Sequence, residues 1–139
     1  GEAKAPPVIA AVKKHIAADE ITIIDAPPGT SCPVVESVRD VDYVILVTEP
    51  TPFGYNDLQL SVDLLRKLEK PFGVIINRST LGDDRVENFC RQNKIDILAK
   101  IPYSRAIARA YSTGQLVIEM EEFKTTFIKV YQAIKNRTT

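Results

Sequence analysis

The chain has 139 residues, 45% of them hydrophobic and 26% charged, with 18 basic against 18 acidic side chains and a formal net charge of zero. This is the composition of one globular domain long enough for a real core. It excludes the basic footprint of a nucleic-acid binder and the long apolar run of a membrane span.

In chain order, the N-terminal Gly1-Glu2-Ala3-Lys4 has no signal-peptide apolar region. The spacing of Val8, Ile9, Val12 and Ile16 predicts a helix over 7–18. His15 sits beside Lys13 and Lys14 and reads as part of a solvated face. Ile21-Thr22-Ile23-Ile24-Asp25 is an apolar, β-branched run ending in one carboxylate, and predicts a buried parallel strand. Pro27-Pro28-Gly29-Thr30 follows as a stiff turn with a permissive glycine. Pro33 suits the first position of a short helix over 33–39.

Tyr43-Val44-Ile45-Leu46-Val47 is the second expected strand. A long helix over 55–69 follows, with Asn56 as its N-cap and Leu58, Val62, Leu65 and Leu68 as its core stripe. Leu60 and Leu64 lie off that stripe, suiting a broad buried face or a subunit interface. Phe72-Gly73-Val74-Ile75-Ile76 is the third strand, 83–93 a helix and 97–101 a fourth strand. Ser104 caps a helix over 105–112 that Gly114 closes. The last helix, 120–136, is amphipathic through Met120, Phe123, Phe127, Val130, Tyr131 and Ile134. Its polar face carries few basic residues, so packing on the sheet outweighs a membrane anchor.

Strands alternating with helices imply βαβ units: a three-layer α/β/α domain with a mostly parallel sheet, spanning 1–139 as a single domain. Cys32 and Cys90 form neither a CxxC pair nor a metal-ligand spacing, and read as reduced thiols of a cytoplasmic protein, Cys32 as a small buried hydrophobe. In such a sheet the strand C-termini share one edge, where open α/β sheets bind ligands. That edge collects Asp25-Ala26-Pro27-Pro28-Gly29, Thr48-Glu49-Pro50-Thr51, Asn77-Arg78-Ser79 and Pro102-Tyr103-Ser104. It offers a carboxylate for a metal shell, hydroxyls, an amide for a base edge and flat groups to flank a ring. The usual companion of a strand-then-Asp element, a Gly-rich loop with Lys and Ser/Thr, is not in the sequence.

Ile24-Asp25-Ala26-Pro27-Pro28-Gly29-Thr30-Ser31-Cys32-Pro33-Val34 resembles the second-switch segment of the MinD/ParA/Mrp class of P-loop ATPases. Val47-Thr48-Glu49-Pro50-Thr51-Pro52-Phe53-Gly54, Ile75-Ile76-Asn77-Arg78 and Lys100-Ile101-Pro102-Tyr103 resemble its later segments, in order. The subgroup most similar carries an inserted ferredoxin domain with iron–sulfur clusters. The resemblance implies that Asp25 holds Mg²⁺ through a water, and that the Gly29 N–H, next to Pro28, senses the γ-phosphate. It also implies that Asn77 hydrogen-bonds adenine, with Pro102 and Tyr103 against the base. ATP and Mg²⁺ are the implied cofactors, with an iron–sulfur cluster in a further segment and none in this chain.

The family's phosphate loop, its first-switch aspartate and its cluster cysteines have no counterpart here. The chain therefore reads as the C-terminal half of such an ATPase, cut from a longer protein and inactive alone. In the complete protein the implied partners are ATP, a second copy in a homodimer and an iron–sulfur or redox protein, with no nucleic acid and no membrane. Two other readings compete. One is a receiver-like signalling domain using Asp25, Thr48 and Lys100, which lacks the required earlier acidic pair. The other is a non-catalytic ATPase-like binding module.

Overall fold

The computed structural model describes residues 21–138 together with Ile9, Ala11 and Lys13. The elements are α1 (Cys32–Val38), β1 (Val44–Thr48), α2 (Pro52–Lys67), β2 (Phe72–Ile76), α3 (Arg85–Gln92), β3 (Ile97–Lys100), α4 (Arg105–Ser112) and α5 (Glu121–Thr138). A 3₁₀ turn at Val117–Glu119 precedes α5. The strands form one parallel sheet in the order β1-β2-β3. Val44 pairs with Phe72 and Thr48 with Ile76, while a register shift after Val74 sets Ile75 against Ala99.

The two sheet faces are covered by different helices, as an α/β/α layering requires. On one face Leu58 and Val62 of α2 pack with Val74, Ile76, Val86 and Cys90. Leu65 joins Val34 and Val38 of α1, with Leu64 and Leu68 packed alongside. On the other face Val130 and Ile134 of α5 meet Ile75 and Ala99. The amphipathic C-terminal helix therefore spends its apolar stripe on the sheet. Among the described residues no helix is long and apolar enough to cross a membrane.

Several expectations are corrected. Residues 21–25 form no strand, and Ile23 is 89% exposed. A β-rich run becomes a strand only when a neighbour takes its backbone groups, and no described backbone–backbone hydrogen bond reaches these residues. The long helix begins at Pro52, not 55, and its N-cap is Thr51 rather than Asn56. The Thr51 Oγ1 accepts from the Gly54 N–H at 3.0 Å, and Pro52 occupies the first turn, where a missing N–H costs nothing. Leu60 is exposed, off the core. Cys32 is exposed rather than buried. The helix expected over 7–18, and His15 within it, lie largely outside the described residues, although Ile9, Ala11 and Lys13 are helical.

Among the described residues β1, like β3, has a strand partner on one side only. Natural edges are protected by Lys, Pro or a bulge, whereas β1 reads Val-Ile-Leu-Val-Thr. Its face toward the α5 side is also uncovered, leaving Ile45 41% and Val47 66% exposed.

Candidate functional site

The carboxyl ends of the three strands are laced into one edge. The Asn77 N–H donates to the Thr48 carbonyl at 2.7 Å, joining β1 to the loop after β2. The Ile101 N–H donates to Ile76 and the Ser79 N–H to Ile101, each at 2.9 Å, joining that loop to β3. The Tyr103 N–H donates to the Thr80 Oγ1 at 3.1 Å. The buried Thr48 hydroxyl donates to the Gly54 carbonyl at 2.9 Å, tying β1 to the first turn of α2.

Two glycines make this closeness feasible. Gly54 sits so near the Glu49 carbonyl that a Cβ has no room. Gly82 has φ of +80°, and a Cβ there would run into the Pro50 carbonyl, so the loop after β2 lies closely on the loop after β1. Arg78, also left-handed at φ of +50°, reaches Glu49 with a 3.5 Å ion pair across the same loops.

Asn77, Pro102 and Tyr103 are thereby brought to one edge. The Asn77 Oδ1 accepts from the Arg78 N–H at 3.0 Å, which fixes the orientation of the half-buried amide and leaves the NH₂ group as its remaining donor. Tyr103 is half exposed and Pro102 half-buried beside it. Ser104 follows as the cap of α4, accepting from Ala106 at 3.2 Å. One hydrogen-bond donor and one aromatic face suit a flat heteroaromatic ring.

Asp25, Pro28 and Gly29 are exposed, and among the described residues no hydrogen bond ties 21–30 to this edge. Gly29 has φ of +90° with open space around it, consistent with a backbone free to approach a ligand. Among the described residues no group of three or more His, Cys, Asp or Glu could hold a metal ion. The residues present fit the base end of a nucleotide, and do not by themselves form a magnesium or phosphate cradle. The receiver-like triad is not assembled either: Thr48 bonds within its own loop and Lys100 pairs with Glu87 at 3.0 Å.

Sequence reasoning missed the Glu49–Arg78 pair and the Gly82–Pro50 contact. Thr51-Pro52 was a readable cap signal, and a glycine five residues after Asn77 a readable turn signal; the cross-loop contact itself carries none.

No protein-family model matches the chain. An uncharacterized protein of Methanocaldococcus jannaschii is 32% identical over 126 residues, 89% of this chain and 44% of that protein. The iron-sulfur cluster carrier protein of Rickettsia typhi is 34% identical over 110 residues, 73% of this chain and 35% of the carrier. The chain thus spans less than half the length of these relatives. Among solved structures, the MinD cell division protein of Aquifex aeolicus superposes with a TM-score of 0.72 at 20% identity, over 96% of this chain and 60% of that one. The Pyrococcus furiosus cell division ATPase MinD gives 0.70 at 21% identity, over 96% and 57%. With its parallel sheet between two helical layers, the chain has the P-loop NTPase-like fold of the MinD/ParA/Mrp type.

Proposed function

We propose that this chain is the base-binding part of a MinD/Mrp-type ATPase, whose phosphate cradle is supplied by polypeptide outside these 139 residues. The observation that supports this is the laced edge, whose hydrogen bonds bring the loops carrying Asn77, Pro102 and Tyr103 together. The flank of β1, which has no strand beside it among the described residues, supports it, because that apolar flank suits a further strand. In this reading Asn77 donates to adenine and Tyr103 and Pro102 flank the ring. Asp25 and Gly29 face Mg²⁺ and the γ-phosphate once the flank is filled. Phosphoryl transfer depends on positioning and charge stabilisation, so the chain alone does not hydrolyse ATP. The likeness to proteins named iron-sulfur cluster carriers supports a role in cluster handling by the complete protein, which in this reading works in the cytoplasm as a homodimer.

The test is titration of the isotope-labelled chain with Mg·ATP, followed by amide chemical shifts. The expected result is millimolar binding with shifts at Asn77, Arg78 and Tyr103, lost in Asn77→Ala, and no phosphate release. Shifts that avoid these residues, or ATP hydrolysis by the chain itself, overturn the reading.

A further inference from the structure

The chain has eight arginines, all described. Six have a side-chain partner: Arg39 with Glu36, Arg66 with Asn93, Arg78 with Glu49, Arg85 with Asp83, Arg91 with Asn88 and Arg137 with Asp96. The two without one among the described residues, Arg105 and Arg109, line the same cavity. It has a volume of about 460 Å³, with Ala106, Ala110 and Met120 as apolar walls and Thr113 and Gln115 as polar ones.

The placement of Arg105 runs against helix stability, while Arg109 falls in the last turn, where the dipole favours a cation. Arg105 is the first residue of α4, at the positive end of the helix dipole, and no acidic residue occupies that first turn. Arg109 lies four residues on, so two like charges share one face. The carboxylates on the adjoining segment do not neutralise them: Glu121 pairs with Lys124, and Glu119 and Glu122 are exposed without an ion pair to either arginine.

We infer that this groove binds an acidic peptide segment of a partner protein, through carboxylates on Arg105 and Arg109 and an apolar side chain against Ala106, Ala110 and Met120. Guanidiniums one turn apart match carboxylates that project from the same side of a short chain. A small anion gains little from two solvated arginines, whereas a peptide adds apolar burial in the same groove. The inference is independent of nucleotide binding.

The test uses the 139-residue chain and an N-acetylated octapeptide of alternating glutamate and leucine. The expected result is saturable amide shifts at Ala106, Ala110, Thr113 and Met120, weakening with added salt. The double variant Arg105→Gln/Arg109→Gln keeps or slightly raises its melting temperature and loses about tenfold or more in affinity. As a second variant, Arg105→Glu/Arg109→Glu switches preference to a lysine–leucine octapeptide. The inference is overturned by absence of saturable shifts, or by equal binding of a glutamine–leucine octapeptide. It is also overturned by unchanged affinity in either variant, or by inorganic phosphate producing the same shifts and displacing the peptide.

Discussion

Thr48 and Gly54 are joined by a 2.9 Å hydrogen bond from the threonine hydroxyl to the glycine carbonyl, so the end of the first strand and the start of the helix after it move as one piece. Thr48 also takes the Asn77 N–H on its own carbonyl. One buried residue therefore holds two loops of the candidate site. Thr48→Val keeps the shape and removes the hydroxyl. The expected loss is about 1–2 kcal/mol, read from urea unfolding, together with broadened amide signals at Gly54 and Asn77. An unchanged midpoint and unchanged signals would show that the bond holds nothing in place.

Gly82 and Gly114 both have positive φ, yet their surroundings differ. A Cβ at Gly114 meets open space, while one at Gly82 runs into the Pro50 backbone. Gly114→Ala costs only the left-handed conformation, about 1 kcal/mol. Gly82→Ala adds the clash and is expected to cost roughly twice that or more, and to shift the Asn77 and Tyr103 signals. Thermal denaturation of both variants side by side checks the ranking; equal melting temperatures would sink it.

Cys90 is fully buried, and burial, with a smaller contribution from Glu87, pushes its thiol up from 9.0 to about 11. The folded state thus binds this proton more tightly than the unfolded state does. Its contribution to stability is complete below about pH 9 and is lost as pH rises from there through about 11. Cys90→Ser or Cys90→Ala should flatten that part of the stability profile. At pH 8 a thiol reagent is expected to label the exposed Cys32 in the native chain, and Cys90 only after denaturant is added. Equal labelling rates under native conditions would refute the assignment.

Val47 is 66% exposed on a strand that, among the described residues, is paired on one side only. Val47→Lys is expected to leave unfolding stability within about 0.5 kcal/mol and to lower concentration-dependent self-association in sedimentation velocity. Stability lost by more than that would mean the flank is already covered in solution.

Much of the fold was readable where local and tertiary signals agree. Phe72–Ile76 and Arg105–Ser112 fall on their expected ranges, because a central strand is apolar on both faces and Ser104 is a strong cap. The failure at 21–25 has the opposite cause: its residues favour a strand, yet pairing is not a property of the segment that carries them. Asn56 lost to Thr51 because a proline one residue past a hydroxyl sets the helix start earlier. At the site, the strand ends placed Asn77, Pro102 and Tyr103 on a common edge, as parallel topology demands. The ties that hold them, Gly82 on Pro50 and Arg78 on Glu49, depend on loop conformation and left no spacing to read.

The pairing of strands in chain order also sets how the chain acquires its shape. Val44 meets Phe72 and Val74 meets Ile97, so each ladder closes over a single intervening helix unit rather than joining distant parts of the sequence. Loop closure is correspondingly cheap in entropy, and assembly can begin around β2 with its buried Val74, Ile75 and Ile76 before β1 is added. The order reverses on unfolding: among the described residues β1 and β3 are each paired on one side only, and β1, with Ile45 and Val47 exposed, is the strand whose amides exchange first, while β2 is the last to let go.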